Sequence, residues 1–157
     1  MSEKQNITLN INGRDHAIAV EPRRTLVDAI REDCGQTGTH IGCEHGICGA
    51  CTVIVNGEPV RSCLMFAAQA DGKKIRTVEG LAKGDELHPM QRAFMEHHGL
   101  QCGFCTPGMI MAGVDIAKRH GAPLSEQTVR AELEGNICRC TGYHNIVKAI
   151  RAGASNM

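Results

Sequence analysis

Three cysteines stand on a glycine-broken stretch, Gly42-Cys43-Glu44-His45-Gly46-Ile47-Cys48-Gly49-Ala50-Cys51, and a fourth follows at Cys63. A gap of four residues, then of two, then a distant partner is the spacing with which four thiolates hold a two-iron, two-sulfide core. Such a core is anionic, so backbone N–H groups must point at its sulfurs. Gly42, Gly46 and Gly49 permit this, because a residue without Cβ reaches positive φ cheaply and lets the backbone come close. A zinc site would use a single tetrahedral set, typically in paired short spacings. A disulfide framework belongs to small secreted chains, and Met1-Ser2-Glu3-Lys4-Gln5 has no apolar signal core. Cys43-Glu44-His45 has a Cys-x-His shape, but a Rieske centre needs two histidines on one iron. The second pairing is missing, so His45 reads as a solvent-facing loop side chain.

A second set of four, Cys102, Cys105, Cys138 and Cys140, lies downstream and leaves Cys34 over from the nine cysteines of the chain. Gln101-Cys102-Gly103-Phe104-Cys105 is followed by Thr106 as an expected N-cap and Pro107 at the first helical position. Cys138-Arg139-Cys140 leads through Thr141-Gly142 into another helical pattern. Each close pair thus precedes a helix N-terminus, where unpaired N–H groups and partial positive charge would offset an anionic cluster. A structural zinc also accepts Cys-x2-Cys, whereas Cys-x-Cys is tight for most zinc knuckles. Arg139 could tune a potential through its charge or simply sit in a solvated ion pair. Cys34 reads as a small buried side chain, and Met109 and Met111 read as core packing rather than ligands.

The elements that must hold these groups fall into two kinds. Gln5 to Asn12 alternates, with Ile7, Leu9 and Ile11 on one face; Asn12-Gly13 supplies a tight turn, and His16 to Val20 continues the alternation, which predicts a β-hairpin. Thr25 introduces a short helix over Leu26 to Asp33, with Leu26, Val27 and Ile30 on its apolar face. Thr52 to Val55 is a strand closed by Asn56-Gly57, and Ile75 to Val78 reads as a last one. Beyond Gly80 the period becomes helical. Helices are predicted from Pro89 to His98, with Met90, Phe94 and His97 inward and an end at Gly99, then from Pro107 to His120, and from Ser125 as cap to Glu134. A final helix carries Tyr143, Ile146, Val147 and Ile150 on one stripe. The fold class is α+β, a β-grasp domain over residues 1–80 followed by an all-α helical-bundle domain over 81–157.

A chain of 157 residues holds one ordinary domain or two small ones. Lys+Arg and Asp+Glu balance at 17 each, and one Tyr, three Phe and no Trp offer no stacking platform, which argues against nucleic acid and acidic-lipid partners. No apolar run reaches membrane-spanning length. Cysteines without a secretion signal point to a reducing compartment, hence the cytoplasm.

Together, Gly42-Cys43 through Cys51-Thr52-Val53, Gln101 through Gly108, and Asn136-Ile137-Cys138-Arg139-Cys140-Thr141-Gly142-Tyr143 resemble the small iron–sulfur subunit of the molybdenum hydroxylases, the xanthine dehydrogenase, aldehyde oxidase and carbon monoxide dehydrogenase family. The resemblance runs from about residue 5 to residue 152. It implies a plant-type ferredoxin-like domain whose Cys43, Cys48, Cys51 and Cys63 hold an outer [2Fe–2S] cluster. It implies an inner [2Fe–2S] cluster on Cys102, Cys105, Cys138 and Cys140, with Gln101 and Cys140 against molybdopterin. The partners it implies are a large molybdopterin-binding subunit and a medium FAD-binding subunit, in a heterotrimer or its dimer. The role would be electron transfer from molybdenum through both clusters to FAD, with no substrate-reacting residue in this chain. A free-standing two-cluster carrier and the small subunit of a reductive member, the hydroxybenzoyl-CoA reductase type, are the alternatives. Substrate and direction belong to the large subunit.

Overall fold

The computed structural model describes residues 3–157; Met1 and Ser2, where the stretch read for a signal core begins, lie outside the described residues. Strands β1 (Gln5–Ile11) and β2 (Arg14–Val20) form the expected antiparallel hairpin, with Gln5 opposite Val20 and Ile11 opposite Arg14. Its turn has Asn12 at φ 53° and Gly13 at φ 83°, two successive positive values that match the twist of the flanking strands. Strand β3 (Thr52–Val55) turns through Asn56-Gly57 into β4 (Glu58–Arg61), and β5 (Lys74–Arg76) inserts parallel to β1 and antiparallel to β3. The sheet order is β2-β1-β5-β3-β4. A hairpin, a helical crossover and a parallel central pair make this a β-grasp sheet.

Ile7, Leu9, Ile11, Val53, Val55 and Ile75 turn one face of the sheet into a core with Leu26, Ala29 and Ile30. The segment over residues 26–33 departs from a plain helix. Thr25 caps α1 (Leu26–Asp28) by accepting the Asp28 N–H, and the chain then widens into a π turn, Ala29–Asp33, closed by Cys34 N–H on Ala29 O at 2.9 Å. The wider turn keeps Ala29 and Ile30 in the same core as Leu26, which 3.6-residue spacing alone does not require. Cys34, at its end, is half-buried against that core. Strand β5 ends at Arg76 rather than Val78, because Thr77 bonds Asn12 instead of a ladder partner: Thr77 N–H to Asn12 Oδ1 and Asn12 Nδ2 to Thr77 Oγ1, both 2.9 Å.

The second core belongs to α2 (Pro89–Glu96), α3 (Thr106–His120), α4 (Glu126–Glu132) and α5 (His144–Ser155). Met90, Phe94, Met109, Met111, Ile116, Ile146 and Ile150 are among its fully buried large side chains, with Leu81 from the segment after the sheet, so Met109 and Met111 pack as expected. Helix α5 lies against α2, α3 and α4, and α3 also lies on β3, which couples the two layers. Three expectations are corrected. Helix α2 stops at Glu96, because His98 takes φ 50° and Gly99 N–H reaches Phe94 O at 2.8 Å, which leaves His97 exposed. Cys105, not Thr106, is the N-cap of α3, with no side-chain capping bond. Tyr143 packs against the same core as Ile146, Val147 and Ile150, but as the N-cap residue of α5, left-handed at φ 68°, rather than within the helix.

Candidate metal centres

The first four cysteines arrive from three elements: Cys43 and Cys48 from the loop after α1, Cys51 one residue before β3, and Cys63 in a 3-10 turn after β4. The fold brings their thiols together in two pairs. Cys48 N–H reaches Cys43 Sγ at 3.4 Å and the Cys48 thiol adjoins that sulfur, while the thiols of Cys63 and Cys51 adjoin each other. Backbone N–H groups of Cys48, His45 and Ile47 point at the Cys43 sulfur and pull its pKa down to about 6. Burial, then the Cys51 thiol, push Cys63 up to about 11, although Gly46 N–H also reaches its sulfur. The three glycines serve two needs. Gly46 and Gly49 take φ 81° and 75°, whereas a Cβ on Gly42 would stand 2.8 Å from Cys48 Sγ. His45 is exposed, with its ring against Cys43 O.

The other four thiols also pair. Cys140 donates to Cys102 Sγ at 3.4 Å, and the Cys105 thiol adjoins that of Cys138. Phe104 N–H and then the Cys140 thiol lower the Cys102 pKa, and giving its hydrogen to Cys102 raises that of Cys140. Burial, followed by Cys138, lifts Cys105 to about 12. Burial opposes ionisation of Cys138 as well, but the Thr141 hydroxyl and the N–H groups of Thr141 and Cys140 outweigh it and leave the pKa lowered. Helix α3 starts from Cys105, and Tyr143, three residues past Cys140, opens α5, so the expected device of two helix starts meeting at one thiol group is present.

Among the described residues no group of three or more His, Cys, Asp or Glu is arranged for a single metal ion. Two thiol pairs per site suit a different object, two irons with two thiolates each and bridging sulfides between. The donors around the sulfurs and the space that a Cβ on Gly42 would fill fit such an anionic core. Gln101 and Cys140 are exposed together with Cys102 on the outer side of the second site, and Arg139 is exposed beside them.

Sequence spacing did not reveal the seam that joins the two sites. Ile137 N–H donates to Cys48 O at 2.8 Å, so a residue next to Cys138 is bonded to a first-site cysteine. Asn136 is 3% exposed and donates to Gly49 O at 3.3 Å, while Arg61 reaches Gly135 O at 2.6 Å and Asn136 Oδ1 at 3.2 Å. Gly108 sits against Gly49 and Ala50 with no room for a Cβ. On the other flank His40 Nδ1 lies 2.8 Å from Phe104 O, and the two rings are 5.0 Å apart. The sequence offered only an asparagine, Asn136, just ahead of the Cys138 motif, and it indicates a contact only once its burial and its partner loop are known.

Two families match the chain in succession, the 2Fe-2S iron-sulfur cluster binding domain over residues 9–82 and the [2Fe-2S] binding domain over residues 77–151. The nicotine 6-hydroxylase small subunit of Paenarthrobacter nicotinovorans is 50% identical over 149 residues, 95% of this chain and 89% of that one. The nicotinate dehydrogenase small FeS subunit of Eubacterium barkeri is 45% identical over 148 residues, 94% of each. The crystal structure of quinoline 2-oxidoreductase from Pseudomonas putida 86 superposes with a TM-score of 0.93 at 49% identity, over 98% of this chain and 96% of the matched one. Cysteine pairing, fold and relatives agree: the chain belongs to the iron–sulfur small-subunit family of the molybdenum hydroxylases and is the electron-transfer component of an oxidoreductase.

Proposed function

We propose that the chain passes electrons from a molybdopterin centre on a large partner subunit to FAD on a medium partner subunit. Cys43, Cys48, Cys51 and Cys63 hold the outer cluster, and Cys102, Cys105, Cys138 and Cys140 the inner one, with the two units dividing near residue 80. When bound, each cluster takes up and releases one electron at a time. The protein's own contribution is to fix the thiols, aim N–H groups at them and hold the two sites against each other.

The observation that carries this reading is the 2.8 Å hydrogen bond from Ile137 N–H to Cys48 O, which links the backbone beside one site to a cysteine of the other. Gln101 and the exposed Cys140 face outward, where a pterin on the large subunit would reach them. Large apolar side chains are exposed beside both sites: Ile47 and Leu64 next to the first, at 58% and 65%, and Phe104 and Ile137 next to the second, at 51% and 48%. Apolar exposure of this kind suits permanent partners. A freely diffusing carrier would instead use a charged docking face for steering, and this chain has a net charge of 0. Both argue for permanent partners, in a heterotrimer or its dimer, and nine unbridged cysteines suit the reducing cytoplasm.

Relatives of comparable identity are named for nicotine and caffeine at 50% and for an aldehyde oxidoreductase at 44%. Substrate choice therefore lies with the large subunit. The test is rapid-freeze kinetics on the complex carrying Cys102→Ser. Molybdenum reduced by substrate should remain reduced while the outer centre is still assembled and still accepts electrons from dithionite. Normal turnover with the natural acceptor would refute the relay.

A further inference from the structure

The loop that carries Cys138 and Cys140 contains a hydrogen-bonded chain that cysteine spacing does not reveal. Thr141 Oγ1 lies 3.1 Å from Cys138 Sγ and accepts the Tyr143 N–H at 3.1 Å. Tyr143 itself is held at φ 68°, a conformation rare for an aromatic residue. Its hydroxyl anchors it on two sides, accepting Cys138 N–H at 2.9 Å and donating to Asn136 O at 3.1 Å. Two consequences follow. The Cys138 N–H is engaged by Tyr143 and is not available to its own sulfur. The Thr141 oxygen has a lone pair occupied by Tyr143 N–H, which leaves its hydrogen directed at sulfur, and a metal-bound thiolate has no hydrogen to give back.

We propose that Thr141, oriented by Tyr143, tunes the inner cluster by donating its hydroxyl hydrogen to the Cys138 sulfur. Tyr143 is then a positioning residue that acts through Thr141. A donor to sulfur favours the more negative, reduced state and so raises the reduction potential. The electron arrives and leaves without any bond to Thr141 being made or broken. This inference rests on the reading of Cys138 as an inner-cluster ligand.

The experiment is a redox titration of the whole complex followed by low-temperature EPR, with the outer cluster as internal reference. Thr141→Val keeps the shape and removes the donor, and it is expected to lower the inner midpoint by about tenfold in the reduction equilibrium, about 59 mV for one electron. The outer midpoint stays put, and Thr141→Ser stays close to wild type. An unmoved inner midpoint in the valine protein, or an equal shift of both clusters, overturns the proposal. Where the valine protein fails to assemble, Thr141→Ala serves instead, since it removes the same hydroxyl donor with less bulk and leaves the Tyr143 hydroxyl on Cys138 N–H. Its inner midpoint is expected to fall in the same direction, and no movement overturns the proposal. A wild-type complex lacking one of the two EPR signals would refute the ligand assignment itself, a failure distinct from an unshifted midpoint.

Discussion

Gly108→Ala separates helix propensity from packing at the seam, because the two predict opposite signs. Gly108 is in the first turn of α3, and on propensity alone alanine would stabilise the helix by up to about 1 kcal/mol. Its Cβ, however, would stand 2.2 Å from Gly49 O, 3.0 Å from Ala50 Cα and 3.1 Å from Ala50 O. All three are backbone atoms of the turn between Cys48 and Cys51, so no side chain can swing aside. Ordinary carbon–oxygen contact begins at about 3.3 Å, so the start of α3 must retreat by about 1 Å from that turn. Overpacking of this kind costs about 1–3 kcal/mol, and the retreat also stretches the Ile137 to Cys48 hydrogen bond, worth a further ~1 kcal/mol. The net expectation is a loss of about 2 kcal/mol, which moves a urea midpoint down by about 1 M for a chain of this size. Two readings on the reduced complex check it: the urea concentration at which cluster absorption is lost, and the magnetic coupling between the two clusters, which should weaken as they separate. A midpoint equal to or above wild type, with unchanged coupling, would show that the seam is not close-packed as described.

Asn136→Ala removes a buried amide that bridges Gly49 O and Arg61, and should cost about 1–3 kcal/mol, seen as earlier thermal loss of both clusters. Thiol chemistry should follow the pKa order after iron is removed by a chelator at pH 7. Cys43, at about 6, is then mostly thiolate and Cys63, at about 11, almost wholly protonated; allowing for the lower intrinsic nucleophilicity of the more acidic thiol, Cys43 should alkylate about fifty-fold faster, as peptide mapping would record. Equal labelling of the two would contradict the N–H donation to the Cys43 sulfur and the burial of Cys63. Gln101→Ala should disturb the molybdenum EPR signal and slow substrate-dependent reduction of the inner cluster while leaving chain stability within about 0.5 kcal/mol, as for other exposed positions. Glu132→Gln breaks the bonds to Arg119 and His120 that hold the carboxyl at about 2, which ties α3 to α4. Because that pKa is depressed, its contribution is present above the ordinary carboxylate range and is lost as pH falls toward 2. At neutral pH the glutamine variant should lose up to about 1 kcal/mol, less in high salt, by thermal denaturation.

Local rules explain what could be read directly. Asn12-Gly13 and Asn56-Gly57 fix their turns through positive φ, and Ser125 and Gly121 mark helix limits by chemistry confined to a few residues. The two cysteine sets were legible because a cluster's ligand spacing is a property of the loop itself. What escaped depends on distant partners. The seam joins Gly49 to Asn136 across 87 positions, and no pattern in either segment announces the other. Tyr143 falls on the apolar stripe by period and its ring does pack on that core, yet its hydroxyl accepts the Cys138 N–H and donates to Asn136 O, and it ends as a left-handed cap rather than a helical residue. Residues 29–33 obey helical spacing but yield to core packing with a wider turn, and Thr106 gives up its expected capping role to Cys105.

The most direct test is iron and acid-labile sulfide per chain in the purified complex, read with low-temperature EPR after reduction. Two irons and two sulfides for each of the two matched domains, and two distinguishable signals, are expected. Zinc in place of iron, or half that iron with a single signal in undamaged protein, would mean that the helical domain holds no redox centre and that the chain is not a two-cluster relay.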